Sequence, residues 1–268
     1  MNETSTPPGS LDAFRAEIDR IDEAMLGLVA ERLRIGDAIA QAKPAGLPFR
    51  PGREIILLRR LIERAPAPVD RDLVAEVWRT LIAANVRRQR SVEIVIGGSR
   101  ADPTRMHDIA RRHFGAHARI VHVGEPQAAL QKAVERPDDC VAVTPWPTAP
   151  GVGSWWPALS ESRFARLNLI AGLPQIGPAD ANPEACMFAA MAPEEAGQDV
   201  TLILAFDVHH RVQRALKEAG LEGKEVARSE PRIMLRVEGF LTQQDPRTAA
   251  LTAQGLEGVR VVGSYARA

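Results

Sequence analysis

The chain has 268 residues, enough for a sizeable core and for two domains rather than one. Its 34 Lys and Arg balance 34 Asp and Glu, which argues against a general affinity for nucleic acid or anionic membrane and leaves room only for a local basic pocket. Cys140 and Cys186 show no paired spacing and suggest a reducing compartment. No apolar run reaches the roughly 18 residues of a membrane span. The opening MNETSTPPGS lacks the apolar core of a signal peptide, so a cytoplasmic protein is expected.

Residues 10 to 90 read as helix throughout. Ser10 is an N-cap candidate before a first helix that runs to Lys43, where Pro44 and Gly46 stop it. Such a helix is about 50 Å long. Leu11, Phe14, Ile18, Ile21, Met25 and Leu28 recur at spacings of three and four, a core-facing stripe. Continued by the same steps, the stripe meets Arg32, Ile35, Ile39 and Lys43, so two cations stand where the pattern reserves hydrophobes. A second helix follows over about 53 to 64. A third runs from its N-cap Asp70 to about 90, with Val74, Trp78, Leu81 and Ile82 inward. Two short helices cannot cover the long one, so a second copy is expected to cover it in an intertwined dimer.

After residue 91 short β-rich runs at 92–97, 118–123 and 140–144 alternate with helical stretches at 103–114 and 126–135, an α/β lobe. Residues 145 to 160 carry Trp146, Trp155 and Trp156 among prolines and read as a structured, tryptophan-packed loop. A linker at 177–184 precedes one further strand, CMFAAM. From 199 the order becomes β, α, β, β, α, β, the ferredoxin-like module. The expected domains are therefore 1–91, 92–198 and 199–268.

The inward charges form a set. The third helix continues Trp78 and Ile82 with Asn85 and Gln89, and Arg53 and Glu54 open the second helix. Arg15 lies one residue beyond the stripe, too far from Lys43 to meet it within one helix but not within an antiparallel pair. Buried cations without partners cost several kcal/mol or more, so a bundle pocket rich in Arg and Lys suits an anion with more than one carboxylate. No nucleophile, cofactor loop or metal-ligand cluster accompanies it. The six histidines (His107, His113, His117, His122, His209 and His210) lack an acidic or cysteine complement at ligand spacing.

LDAFRAEIDRIDEAMLGLVAER, AIAQAK, RPGREIILLRRL and LIAANVRRQ resemble the all-helical AroQ class of chorismate mutase over the whole of that domain. The resemblance implies a three-helix domain in an intertwined homodimer, chorismate as substrate, prephenate as product, and no cofactor. Position by position, it implies carboxylate-binding arginines at Arg15, from the other protomer, and Arg32. It places the cation on the breaking ether bond at Lys43, with the neutral donor at Gln89. Glu54 would accept from the ring hydroxyl, and Arg53 would stand at the pocket wall. Two positions depart from the pattern. Asn85 replaces the family's usual Ser but remains a hydrogen bonder. Arg50, in a shortened loop, stands where an Asp often assists substrate binding.

The later residues resemble a prephenate dehydratase with an ACT-like end, the order of the bacterial P-protein. VEIVIGGSRADPTRMHDIARRHFG resembles the dehydratase opening and VRVVGSYAR the ACT terminus. The landmarks differ: TPWPTAP replaces the Pro-Ile-Glu-Asn segment, and EACMF keeps only Phe188 of the Thr-Arg-Phe motif. A dehydratase relic without that activity is expected. At the phenylalanine turns of an ACT domain, His209, His210 and Arg211 stand near the first, and Arg228, Ser229, Glu230 and Pro231 form the second. Their bulk argues against the usual pocket. The alternatives are a bifunctional mutase-dehydratase and a non-catalytic ligand-binding protein.

Overall fold

The computed structural model describes residues 9–42, 46–98, 102–148, 154–178 and 181–268. They form two compact units, Met1–Pro44 and Ala45–Ala268.

The first unit is one helix, α1 (Leu11–Ala42). Ser10 caps it as the sequence suggests, its Oγ accepting from the Ala13 amide at 3.1 Å. Along its flank Arg20 pairs with Glu17 at 2.6 Å, an i,i+3 contact exposed to water. The apolar stripe is exposed along its length, from Leu11 at 64% through Met25 at 52% to Ile39 at 44%.

The second unit begins with α2 (Pro51–Arg64) and α3 (Arg71–Gln89). Pro51 starts α2, where its missing N–H is no loss. Asp70 caps α3 by accepting from Leu73 N at 2.8 Å. A boundary at 91 does not separate these two helices from the later residues of the chain. Ile55 and Leu58 of α2 are buried against Ala196 and Ala266, with Trp78 of α3 at the margin. Arg59 donates to the carbonyls of Ala196, Gly197 and Arg267 at 2.6 to 2.8 Å.

Residues 93 to 266 build one nine-stranded sheet: β1 (Glu93–Gly97), β2 (Arg119–Val123), β3 (Cys140–Pro145), β4 (Asn168–Leu173), β5 (Ala185–Ala189), β6 (Asp199–Phe206), β7 (Gly223–Ser229), β8 (Arg232–Glu238) and β9 (Glu257–Ala266). Their spatial order is β2-β1-β3-β5-β4-β9-β6-β8-β7. β2, β1 and β3 are parallel, joined by α4 (Pro103–Phe114) and α5 (Pro126–Glu135). The two helices take opposite faces because alternate strand residues point to opposite sides. Ile94 and Ile96 pack with Ile109 and Phe114 of α4, whereas Val95 packs with Leu130 of α5. α4 ends at Gly115, whose φ of +87° and close approach to Ala83 leave no room for a Cβ.

The last part has the expected split βαβ order. β9, β6, β8 and β7 are antiparallel neighbours, and α6 (Val212–Glu218) and α7 (Pro246–Ala253) cover one face through Leu216 and Leu251. The other face, through Leu202, Leu204 and Met234, shares a core with Trp155, Trp156 and Phe164. The tryptophan loop is thus packing material, with 3₁₀ turns over Trp156–Ser160 and Ser162–Phe164.

β4 is a strand that the sequence pattern leaves unassigned. NLIAGL is almost wholly buried and does not alternate, so it carries no period-two signal. It pairs antiparallel with β5 and in parallel with β9, joining the two halves of the sheet.

Candidate functional site

The residues that the sequence singles out divide between the two units. Arg15 and Arg32 belong to α1. Arg15 lies in the first turns, exposed and paired with Asp12 at 3.2 Å. Arg32 is partly buried, and desolvation lowers the pKa of its guanidinium from the ordinary value. Lys43 lies outside the described residues.

Arg53, Glu54, Asn85 and Gln89 belong to the second unit. Neighbouring positions on α2 point apart, so Arg53 is exposed and Glu54 is buried. The Glu54 carboxylate is held on two sides: Oε2 accepts from Arg79 Nη1 at 2.7 Å, and Oε1 accepts from the Arg50 amide at 3.2 Å. Arg79 in turn donates to Gln175 Oε1. Buried charge survives here because each ion has a charge-assisted partner. On α3, Asn85 carries a buried Oδ1 with no hydrogen-bond partner among the described residues, a group left ready to accept one. Gln89, one turn on, is partly buried.

Arg79 is the site residue that sequence reasoning missed. It follows Trp78, which the helical period points inward, and nothing in its spacing marks it as buried. The available signal was complementarity: a buried Glu54 on one helix needs a cation on its neighbour.

Beside this pair lies a cavity of about 210 Å³ between α3 and the β1–α4–β2 region. Glu54 and His113 reach its interior, while Arg87, Arg90, His117 and Arg119 stand around it. His113 is buried, and desolvation, with the Arg79 charge nearby, holds its pKa well below the ordinary imidazole value. It is therefore neutral at pH 7.

The other histidines and the two cysteines offer little chemistry. His107 and His122 stack, with Nδ1 and Nε2 2.9 Å apart. Among the described residues no group of three or more His, Cys, Asp or Glu could hold a metal ion. Burial pushes the Cys140 thiol up to about 11 and the Cys186 thiol well above its usual value, so neither is a ready nucleophile. In the ferredoxin-like part, the two turns singled out for an amino acid are tied together. Arg228 reaches Asp207 at 2.9 Å, Glu225 at 2.6 Å and Glu230 at 3.2 Å. Asp207 also accepts from the Arg211 amide at 2.6 Å.

Among the described residues no helix is long and apolar enough to cross a membrane. Comparison with known proteins gives a bifunctional chorismate mutase/prephenate dehydratase of Stutzerimonas stutzeri, 27% identical over 129 residues, which are 46% of this chain and 34% of that protein. The chain thus spans about a third of the length of that relative. Among solved structures, the prephenate dehydratase of Streptococcus mutans overlays 66% of this chain and 98% of its own at a TM-score of 0.43 and 19% identity. The quorum-quenching acylase GqqA overlays 65% and 95% at a TM-score of 0.44 and 12% identity. The model of the family described as chorismate mutase type II matches residues 14–90. Residues 14–90 of this chain are therefore similar to the chorismate mutase type II family.

Proposed function

We propose that the protein is a cytoplasmic chorismate mutase, working as a homodimer and converting chorismate to prephenate. The observation that carries this reading is the family match over 14–90, a span that holds Arg15, Arg32, Lys43, Arg53, Glu54, Asn85 and Gln89. The reaction is an intramolecular [3,3] rearrangement, so no group need attack or exchange a proton. The protein has to hold a flexible dianion in its reactive shape and stabilise charge as the C–O bond breaks. Arg15 of one protomer and Arg32 of the other bind the carboxylates, which planar guanidinium forks fit bidentately. Lys43 and Gln89 donate to the ether oxygen, Glu54 accepts from the ring hydroxyl, and Arg53 and Asn85 complete the wall. The exposed stripe of α1 supports the dimer, since an apolar face that long wants a cover.

Residues beyond 91 act in this reading as a scaffold or regulator without dehydratase activity, because EACMF lacks the Thr and Arg of the motif. The relatives' bifunctional names favour the second reading, a mutase-dehydratase. One assay separates them: purified protein is given chorismate, and both prephenate and phenylpyruvate are measured without acid treatment. Prephenate alone supports the monofunctional mutase, phenylpyruvate supports the second reading, and unchanged chorismate defeats both. Lys43→Ala should lower kcat about a hundredfold, whereas Arg15→Ala should chiefly raise KM. Small, equal effects on both would sink the role assignments.

A further inference from the structure

The cavity between α3 and the β1–α4–β2 region has two unlike ends. Its inner wall is apolar: Phe49 and Phe114 meet edge to face at 5.6 Å, with Ile82 and Val86 of α3 beside them. Its outer rim is exposed and carries the charges of Arg87 on α3 and Arg119 on the α4–β2 side, with His117 beside them. The neighbouring carboxylates offset that charge only at Arg119. Glu54 is held by Arg79 at 2.7 Å, and Glu93 is shared between Arg119 at 3.1 Å and Arg136 at 2.8 Å. His113, inside, adds no charge because burial keeps it neutral.

We propose that this cavity is a second ligand site, taking a small monocarboxylate with one apolar ring. The rim supplies the counter-charge for one anion at one end. A second carboxylate would have to sit against Phe49 and Phe114 without a partner, which is costly. That preference sets the occupant apart from the dianionic mutase substrate. The volume, about 210 Å³, is below the roughly 300–1,000 Å³ of drug-sized pockets and limits the ligand to one ring. Glu54 forms part of the cavity wall, so an occupant presses on a carboxylate to which the mutase reading gives a role. The site is thereby coupled to chorismate binding, and the coupling alone rests on the proposed function.

The test is calorimetric titration of the full chain with 3-phenylpropionate, 3-phenylpropan-1-ol and inorganic phosphate. The expected result is saturable binding of the carboxylate, at least tenfold weaker binding of the alcohol, and no saturation by phosphate. Arg87→Gln and His117→Glu, both at exposed positions, should each weaken the carboxylate at least fivefold while the fold is retained by circular dichroism. Equal binding of acid and alcohol, or unchanged affinity in both variants, overturns the site. The coupling is read separately, as the KM for chorismate with and without saturating 3-phenylpropionate. A shift of twofold or more that Arg87→Gln abolishes supports the coupling, and an unchanged KM overturns it. Absence of any chorismate turnover would refute the mutase reading while leaving the binding titration to decide the cavity.

Discussion

α1 and α2 carry the same kind of sequence pattern and meet different fates. On α2 the stripe residues Ile55 and Leu58 are 1% and 0% exposed, covered by Ala196 and Ala266 from far along the chain. On α1 the stripe residues stay exposed, Phe14 at 61% and Leu28 at 66%. Periodicity thus states that a face is to be covered and is silent on what covers it. The difference teaches where to strike: α1 tests association, and α2 with α3 tests the stability of one folded unit.

The largest effect is expected on α1. The pair Ile21→Asp and Met25→Asp puts charge into the exposed stripe, and light scattering should then report a monomer in place of a dimer. On the proposed dimeric reading, mutase activity should fall about a hundredfold or more with it, because Arg15 of the other protomer would leave the site. A variant that stays dimeric and active would overturn the cover assigned to α1. The next effect belongs to the second unit. Arg79→Met leaves Glu54 buried with no counter-ion and should cost about 3–5 kcal/mol in urea unfolding. The same substitution would be nearly silent if solvent reached the pair.

His113 sharpens the contrast through pH. Its folded pKa lies well below that of the unfolded chain, so below about pH 6.5 the unfolded state binds the extra proton. Stability from this group is complete above that pH and is lost as pH falls through it, by at most about 1.4 kcal/mol per unit. His113→Phe should flatten the difference between unfolding at pH 7.5 and at pH 5.5. An unaltered difference would show that the imidazole is not the titrating group. The smallest effect is at the start of α3, where Asp70→Ala should cost about 1 kcal/mol. Urea midpoints would resolve it.

Much of this could be read in advance, for reasons that differ by residue. The spans 103–114 and 126–135 coincide with α4 and α5 because Pro103 and Pro126 begin them. Ser10 and Asp70 work as caps because an N-cap needs only its own side chain and the next turn. β4 escaped because a buried strand has no alternation to detect. Arg79 escaped because its burial depends on Glu54 and Gln175, 25 and 96 residues away. Among the candidate site residues, the types and their helical spacing were legible. Their pairing was not, and the hold of Arg79 on Glu54 emerges only from the folded second unit.

The seam between β4 and β9 has a consequence for how this chain tolerates change. Leu169 and Gly263 meet there in parallel, and Gly263 has a φ of +141° and a Leu169 carbonyl where a Cβ would sit. No larger residue fits that spot without moving a strand. A truncation that removed β9 would bare the flank of β4, an apolar edge with open amides and carbonyls, and such edges recruit other chains. Loss of the terminal module should therefore be felt first as insolubility.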